Sequence, residues 1–224
     1  ILDAEADACV YIGLKEGVAK EALERDLRSA EQGEMIFDAE KYVNKVPVKK
    51  HDHILIPAGT VHCSGKNAMV LEISATPYIF TFKLWDWGRV GLDGLPRPIH
   101  IDHGMKNIEW NRTTSWVMEN IVNNIKTLEE KDDYKKEVTG LHELEFIETE
   151  RYTTSTFFDV EMTDSVQQLN LVEGKSALIE SLDGSFPPFE VHYAESFIIP
   201  SSVKRYRVRS NIGEIKVVAA FVRN

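Results

Sequence analysis

The sequence predicts a mainly β protein made of two barrel- or sandwich-like domains, with helix confined to an insertion near residues 17–44 and a connector near 113–124. Short runs of β-forming residues recur from Val46 to the C-terminus. Clusters of Gly, Pro, Asn and Asp separate them, and only two stretches carry apolar residues at helical spacing. Strands this short and this closely spaced are the pattern of a sandwich or a barrel.

Residues 8–14, Ala-Cys-Val-Tyr-Ile-Gly-Leu, read as a short strand. From Lys15 to Gly33 the period changes. Val18, Ala22, Leu23, Leu27 and Ala30 recur at helical spacing among Glu, Arg and Asp, and Gly33 ends the helix. Residues 38–44 add a short helical turn. The apolar or aromatic runs 54–56, 68–73 and 78–87 follow, separated by Pro57-Ala58-Gly59, Ser64-Gly65-Lys66-Asn67 and Thr76-Pro77. Asp93-Gly94 and Pro96-Arg97-Pro98 mark a surface loop. Residues 113–124 read as helix, with Trp116, Ile121 and Ile125 loosely on one side. Residues 128–139, which include Glu129-Glu130-Lys131-Asp132-Asp133, read as a charged linker. Strands return at 143–147, 155–160, 168–172, 177–181, 196–199 and 214–222.

A formal charge of −10 over 224 residues argues against nucleic acid or an anionic membrane surface as a partner. An anionic ligand would have to be held by a local group of Arg and Lys. The longest apolar run, 217–222, is far shorter than the roughly 20 residues of a membrane helix. No basic segment followed by an apolar one opens the chain, so a secretory signal is unsupported. Cys9 and Cys63 read as two reduced thiols in a cytoplasmic protein. The chain starts at Ile1, which suggests that residues before it have been lost.

The densest chemical cluster is His51-Asp52-His53, with His62 nine residues further on. Alternate strand residues share a face, so His-x-His with a third His invites a metal site. Lys49-Lys50-His51-Asp52, however, is a polar run just before an apolar strand, where a turn belongs, and His51 and His53 are read as solvated turn and strand-edge residues. His62 follows Ile56-Pro57-Ala58-Gly59-Thr60-Val61, where Pro and Gly force a sharp turn able to aim a side chain into a barrel mouth. Glu72 stands between Leu71 and Ile73 in an apolar run, costly if buried and ordinary if its side faces solvent.

Pro57-x-Gly59-x-x-His62 resembles the second motif of the cupins, although His51 stands where cupins usually carry Gly. The wider series narrows the family. Asp3-Ala4-Glu5, residues 11–17, residues 56–62, Val70-Leu71-Glu72-Ile73, Trp85-Asp86-Trp87-Gly88-Arg89 and Asp93-Gly94-x-Pro96-Arg97-Pro98-x-His100 occur in the order found in bacterial type I mannose-6-phosphate isomerases. The resemblance covers about residues 1–110 with specific motifs and is more general from 140 onward.

The resemblance implies two cupin-like jelly-roll domains: 1–112 as the C-terminal part of the metal-binding domain, 113–140 as a helical and charged connector, and 141–224 as a second, metal-free domain. It also implies aldose–ketose isomerisation of a hexose phosphate with one divalent metal, typically zinc. His62 matches the last metal ligand of the family, Arg89 an active-site arginine and Glu72 a carboxylate proposed to handle protons. Arg89 has a structural alternative in an ion pair with Asp86. Arg97 is a weaker candidate for substrate contact, and His100 reads as a loop and packing residue. The family's other ligands, a Gln-x-His pair and a Glu, belong to strands before Asp3-Ala4-Glu5, so the chain corresponds to a C-terminal portion lacking them. The comparable turn of the second domain carries Arg205 where a ligand His would stand. The alternative reading is a cupin that binds a sugar or sugar phosphate without catalysis. Nothing in the sequence fixes an oligomeric state.

Overall fold

The computed structural model describes residues 1–74, 81–94, 97–139 and 145–223. The first half begins with β1 (Asp3–Ala4) and β2 (Cys9–Leu14), followed by α1 (Lys20–Glu31) and α2 (Ala39–Tyr42). Next come β3 (Val43–Pro47), β4 (His62–Ser64), β5 (Ala68–Met69), α3 (Ile101–Asn107) and α4 (Thr114–Asn120). β2 is the middle strand of the antiparallel sheet β3-β2-β4, and β1 pairs with β5.

α1 forms where the helical spacing places it, and buries Leu23 and Leu27 against Phe37, Tyr42, Ile101 and Met105. Burying each leucine contributes about 1.5–3 kcal/mol. Asp26 shares that buried face. It accepts hydrogen bonds from Lys41 Nζ (2.7 Å) and the Tyr42 hydroxyl (2.5 Å), and Lys41 first, then Tyr42, hold its carboxyl down to about 2. A second small core of Val10, Ile12, Val46, Val117 and Ile121 fastens α4 to β2.

The regular structure of the second half, among the described residues, is all strand: β6 (Lys126–Lys131), β7 (Tyr134–Val138), β8 (Ile147–Thr154), β9 (Phe157–Glu161), β10 (Gln167–Glu173), β11 (Ser176–Ser181), β12 (Phe189–His192), β13 (Ser196–Ile199), β14 (Arg205–Ser210) and β15 (Ile215–Val222). Six of them form the sheet β13-β10-β15-β8-β7-β6 and four form β12-β11-β14-β9, all pairs antiparallel. The core lies between the two sheets. Period-2 alternation drives Ile215, Val217 and Ala219 of β15 into it, beside Leu169, Leu171, Ile179, Tyr206 and Val208. This is the mainly β, jelly-roll architecture that the sequence predicts, with helices at the expected insertion and connector.

Several elements differ from expectation. The charged run read as a linker is the β6–β7 hairpin, which extends the six-stranded sheet through β8. Its charge reflects an exposed sheet edge, since all six residues of β6 are exposed. The run 68–73 forms strand only at Ala68–Met69, and residues 81–87 of the expected strand 78–87 are irregular. Residues 78–80 of that run, and 143–144 of the strand expected at 143–147, lie outside the described residues. α3 is a helix that the sequence does not predict, beyond the loop marked by residues 93–98; Ile101 and Met105, one turn apart, both reach the core.

His51 lies in a turn with φ +72, as the sequence predicts, but neither His51 nor His53 is freely solvated: both are half-buried. They belong to the junction between the two halves. Glu173 of β10 meets Lys50 Nζ at 2.9 Å and His51 Nε2 at 2.8 Å, and Arg151 Nη1 donates to the His51 carbonyl at 2.8 Å. His53 Nδ1 is shut off from water and has no hydrogen-bond partner among the described residues. Burial first, with the positive charge of Arg151 adding to it, lowers the His53 pKa from 6.5 to about 4. The unfolded chain therefore takes up a proton between about pH 6.5 and 4 that the folded chain refuses, so stability is full above that window and falls through it on acidification. In chemical denaturation, His53→Leu is expected to remove that part of the pH slope, worth at most about 3 kcal/mol across the window.

Candidate functional site

The corner that carries His62 is built by backbone first. Pro57 starts a tight turn closed by Thr60 N–H donating to the Pro57 carbonyl at 3.2 Å. Gly59 has φ +86, and a Cβ there would meet the Asn107 carbonyl oxygen at 2.8 Å, so only glycine fits. The Gly59 carbonyl accepts from Glu109 N–H (3.0 Å), and the Val61 carbonyl accepts from Gly13 N–H (2.8 Å). His62 then opens β4, in register with Ile12 of β2.

The His62 ring is exposed at the surface and is fixed at one nitrogen. Nδ1 lies 2.9 Å from the Thr60 carbonyl oxygen. A carbonyl only accepts, so Nδ1 carries the proton of this contact, and the tautomer that makes it has its lone pair on Nε2. Metal-binding histidines are oriented in this way, one nitrogen donating to a backbone carbonyl while the other ligates. His62 therefore fits the role of a metal ligand. A complete cage does not follow: among the described residues no group of three or more His, Cys, Asp or Glu side chains could hold an ion.

Arg112, which no sequence motif marks, holds the same corner. Its Nη1 reaches the Pro57 carbonyl (3.0 Å), the Ala58 carbonyl (2.5 Å) and the Thr60 hydroxyl (2.6 Å). Its guanidinium lies 5.2 Å from the Trp116 ring centroid, and burial lowers its pKa. The one legible signal was the pairing of Arg112 with an aromatic residue four positions on, at the start of a helix.

The other candidates fall on irregular segments. Glu72 is exposed, which answers the question its apolar neighbours posed. Arg89 is exposed, and its side chain makes no ion pair or hydrogen bond among the described residues. Its expected structural partner, Asp86, is taken instead by Arg97 Nη1 (3.1 Å) and Lys83 (3.5 Å). The Arg89 carbonyl accepts from Arg97 N–H at 3.1 Å, so the two arginines belong to one loop, with Arg97 bracing it and Arg89 left unpaired. That loop reaches the sheet through Trp87, whose ring is 5.7 Å from Tyr11 of β2, the strand beside β4. No hydrogen bond or ion pair among the described residues joins His62 to Arg89, Arg97 or Glu72. His100 stands at the N-cap position of α3 without a side-chain cap bond, and its Nδ1 accepts from Lys83 N–H at 3.2 Å, a local structural role. The Cys63 thiol donates to the Ser64 carbonyl at 3.0 Å.

Comparison with known proteins separates fold from family. No family model matches the chain. The chain is 21% identical over 187 residues to a mannose-6-phosphate isomerase of Streptococcus mutans, covering 82% of this chain and 52% of the relative. It is 29% identical over 109 residues to the mannose-6-phosphate isomerase ManA of Bacillus subtilis, covering 49% and 32%. The chain resembles the mannose-6-phosphate isomerases. The crystal structure of the mannose 6-phosphate isomerase from Bacillus subtilis superposes on 98% of the chain with a TM-score of 0.70 at 16% identity, covering 62% of that structure. A putative mannosephosphate isomerase from Archaeoglobus fulgidus gives 0.61 at 15% identity over 99% of the chain and 59% of its own. At these identities the structures show a shared fold. The chain spans about half, or less, of the length of the curated mannose-6-phosphate isomerases it matches. No helix among the described residues is long and apolar enough to cross a membrane.

Proposed function

We propose that the chain is the C-terminal portion of a metal-dependent mannose-6-phosphate isomerase that interconverts mannose 6-phosphate and fructose 6-phosphate, and that His62 is one of its metal ligands. The observation that carries the proposal is the His62 ring, anchored through Nδ1 on a Pro/Gly corner with Nε2 open. Likeness in sequence to mannose-6-phosphate isomerases supports it. The remaining ligands would come from the rest of the full-length protein.

Aldose–ketose isomerisation moves a proton between adjacent carbons through an enediol and needs a base near those carbons and positive charge beside the developing oxyanion. A divalent ion, zinc in this reading, would orient the sugar oxygens and offset that charge. In the chain itself, His62 would hold the ion, Glu72 would handle the proton, and Arg89 would contact the enediolate or a sugar hydroxyl. Arg89 suits the last role because its permanent charge and planar donors are unspent among the described residues. Arg97, committed to Asp86, would brace the Arg89 loop.

The test is turnover by the full-length protein. A chelator is expected to abolish isomerisation and added zinc to restore it. The incomplete ligand set among the described residues favours a second reading, a cupin that holds a sugar phosphate without converting it. Sugar-phosphate binding that survives the chelator, with no turnover under any metal, would select that reading. For the second half we propose a scaffold role. Because β6 and β7 belong to its sheet, a clean deletion starts after residue 125 and not at 141.

A further inference from the structure

We propose that Arg112 is a positioning residue: by gripping the Pro57–Thr60 corner it fixes the Thr60 carbonyl against His62 Nδ1, so that the ring is held in the tautomer that presents a bare Nε2. The inference rests on the reading of His62 as a ligand and adds the device that makes it one.

The argument starts from how Arg112 spends its donors. Its charge is partly withdrawn from water, a costly position for a guanidinium whose nearby carboxylate, Glu109, acts on it only at a distance. Among the described residues it forms no ion pair. One terminal nitrogen instead serves three acceptors, Pro57 O, Ala58 O and Thr60 Oγ1, all of the turn that leads into His62. Trp116, four residues on in α4, backs the guanidinium. The backbone of the same segment closes the grip: Glu109 N–H holds the Gly59 carbonyl, Arg112 N–H holds the Glu109 carbonyl, and Leu14 N–H holds the Arg112 carbonyl.

Thr60 is where this grip meets the imidazole. Its hydroxyl is tied to Arg112 and its carbonyl to His62 Nδ1, so a side chain 50 residues downstream of His62 controls the direction of the acceptor that selects the ring's proton position. A free neutral imidazole exchanges its proton between both nitrogens. Here one nitrogen has a fixed acceptor and the other has none among the described residues. Second-shell groups of this kind are worth about 10- to 100-fold in metal affinity.

Nitrogen NMR of the histidine rings reads the tautomer directly and needs no metal. In the wild-type full-length protein His62 is expected as the Nδ1–H form. Arg112→Ala is expected to release it into a mixture with substantial Nε2–H, and Arg112→Lys to restore part of the Nδ1–H population. Thr60→Val, which removes only the hydroxyl contact, gives a milder version should Arg112→Ala fail to fold. Zinc affinity of the Arg112→Ala protein is expected to fall by about 10- to 100-fold. A ring that stays Nδ1–H in both Arg112→Ala and Thr60→Val overturns the role of Arg112 while leaving His62 a ligand. A wild-type ring found as Nε2–H removes the basis of the ligand reading as well.

Discussion

Replacing His62 with alanine is expected to lower isomerase turnover of the full-length protein by about 100-fold or more, because stabilisation of several kcal/mol at the developing charge is lost with the ligand and about 3 kcal/mol already corresponds to that factor. The same change is expected to move folding stability by only about 0.5 kcal/mol, since the ring is exposed and its one bond is to a carbonyl that water can satisfy. Large loss of rate with little loss of stability is the signature of a functional side chain. Cys63→Ala, the next position of β4, supplies the comparison: its thiol reaches only the neighbouring Ser64 carbonyl, and turnover is expected to be unchanged. Equal turnover in wild type and His62→Ala would remove His62 from the site.

The second large effect is expected at Gly13, in stability. Gly13 has φ +66 within β2, at the point where the register with β3 shifts between Tyr11 and Leu14. Asn44 Nδ2 spans the irregularity by facing the carbonyls of Ile12, Gly13 and Leu14 at 3.2, 3.2 and 2.9 Å. A Cβ on Gly13 would lie 2.2 Å from Val117 Cγ2 and 2.9 Å from the Arg112 carbonyl oxygen. The left-handed conformation costs a non-glycine residue about 1–2 kcal/mol, and overpacking adds about 1–3. Gly13→Ala is therefore expected to destabilise by about 2–5 kcal/mol in chemical denaturation. Val117→Ala in the same chain is expected to recover part of the loss by clearing the methyl contact, while the backbone strain persists. Because Gly13 N–H also holds the Val61 carbonyl, the site corner should loosen with the fold.

What the sequence made legible follows the range of the interactions. α1 was readable because Leu23, Leu27 and Gly33 write its face and its end within a few turns, and β15 because Ile215, Val217 and Ala219 alternate. The Pro57–His62 corner was readable for the same reason, being a local turn with its own glycine. The β6–β7 hairpin was not, since an exposed edge strand is as polar as a linker and only Tyr134 and Val138 hint at a covered side. The turn at His51 was legible, but the half-burial of His51 and His53 was not, because their surroundings come from Glu173 and Arg151, about a hundred residues away in the chain. Arg112 was barely legible, through Trp116 four positions on alone: the acceptors that define it lie more than 50 residues earlier and are mostly backbone carbonyls, which carry no sequence signature. Arg89 was legible only through family likeness, and the structure adds that Asp86 is already committed elsewhere.

Anomalous diffraction at the zinc edge, from crystals of the full-length protein grown with zinc, tests the central claim most directly. The account predicts a peak against Nε2 of His62 with Nδ1 still on the Thr60 carbonyl. A zinc peak that leaves His62 untouched, or one bonded through Nδ1, would contradict it.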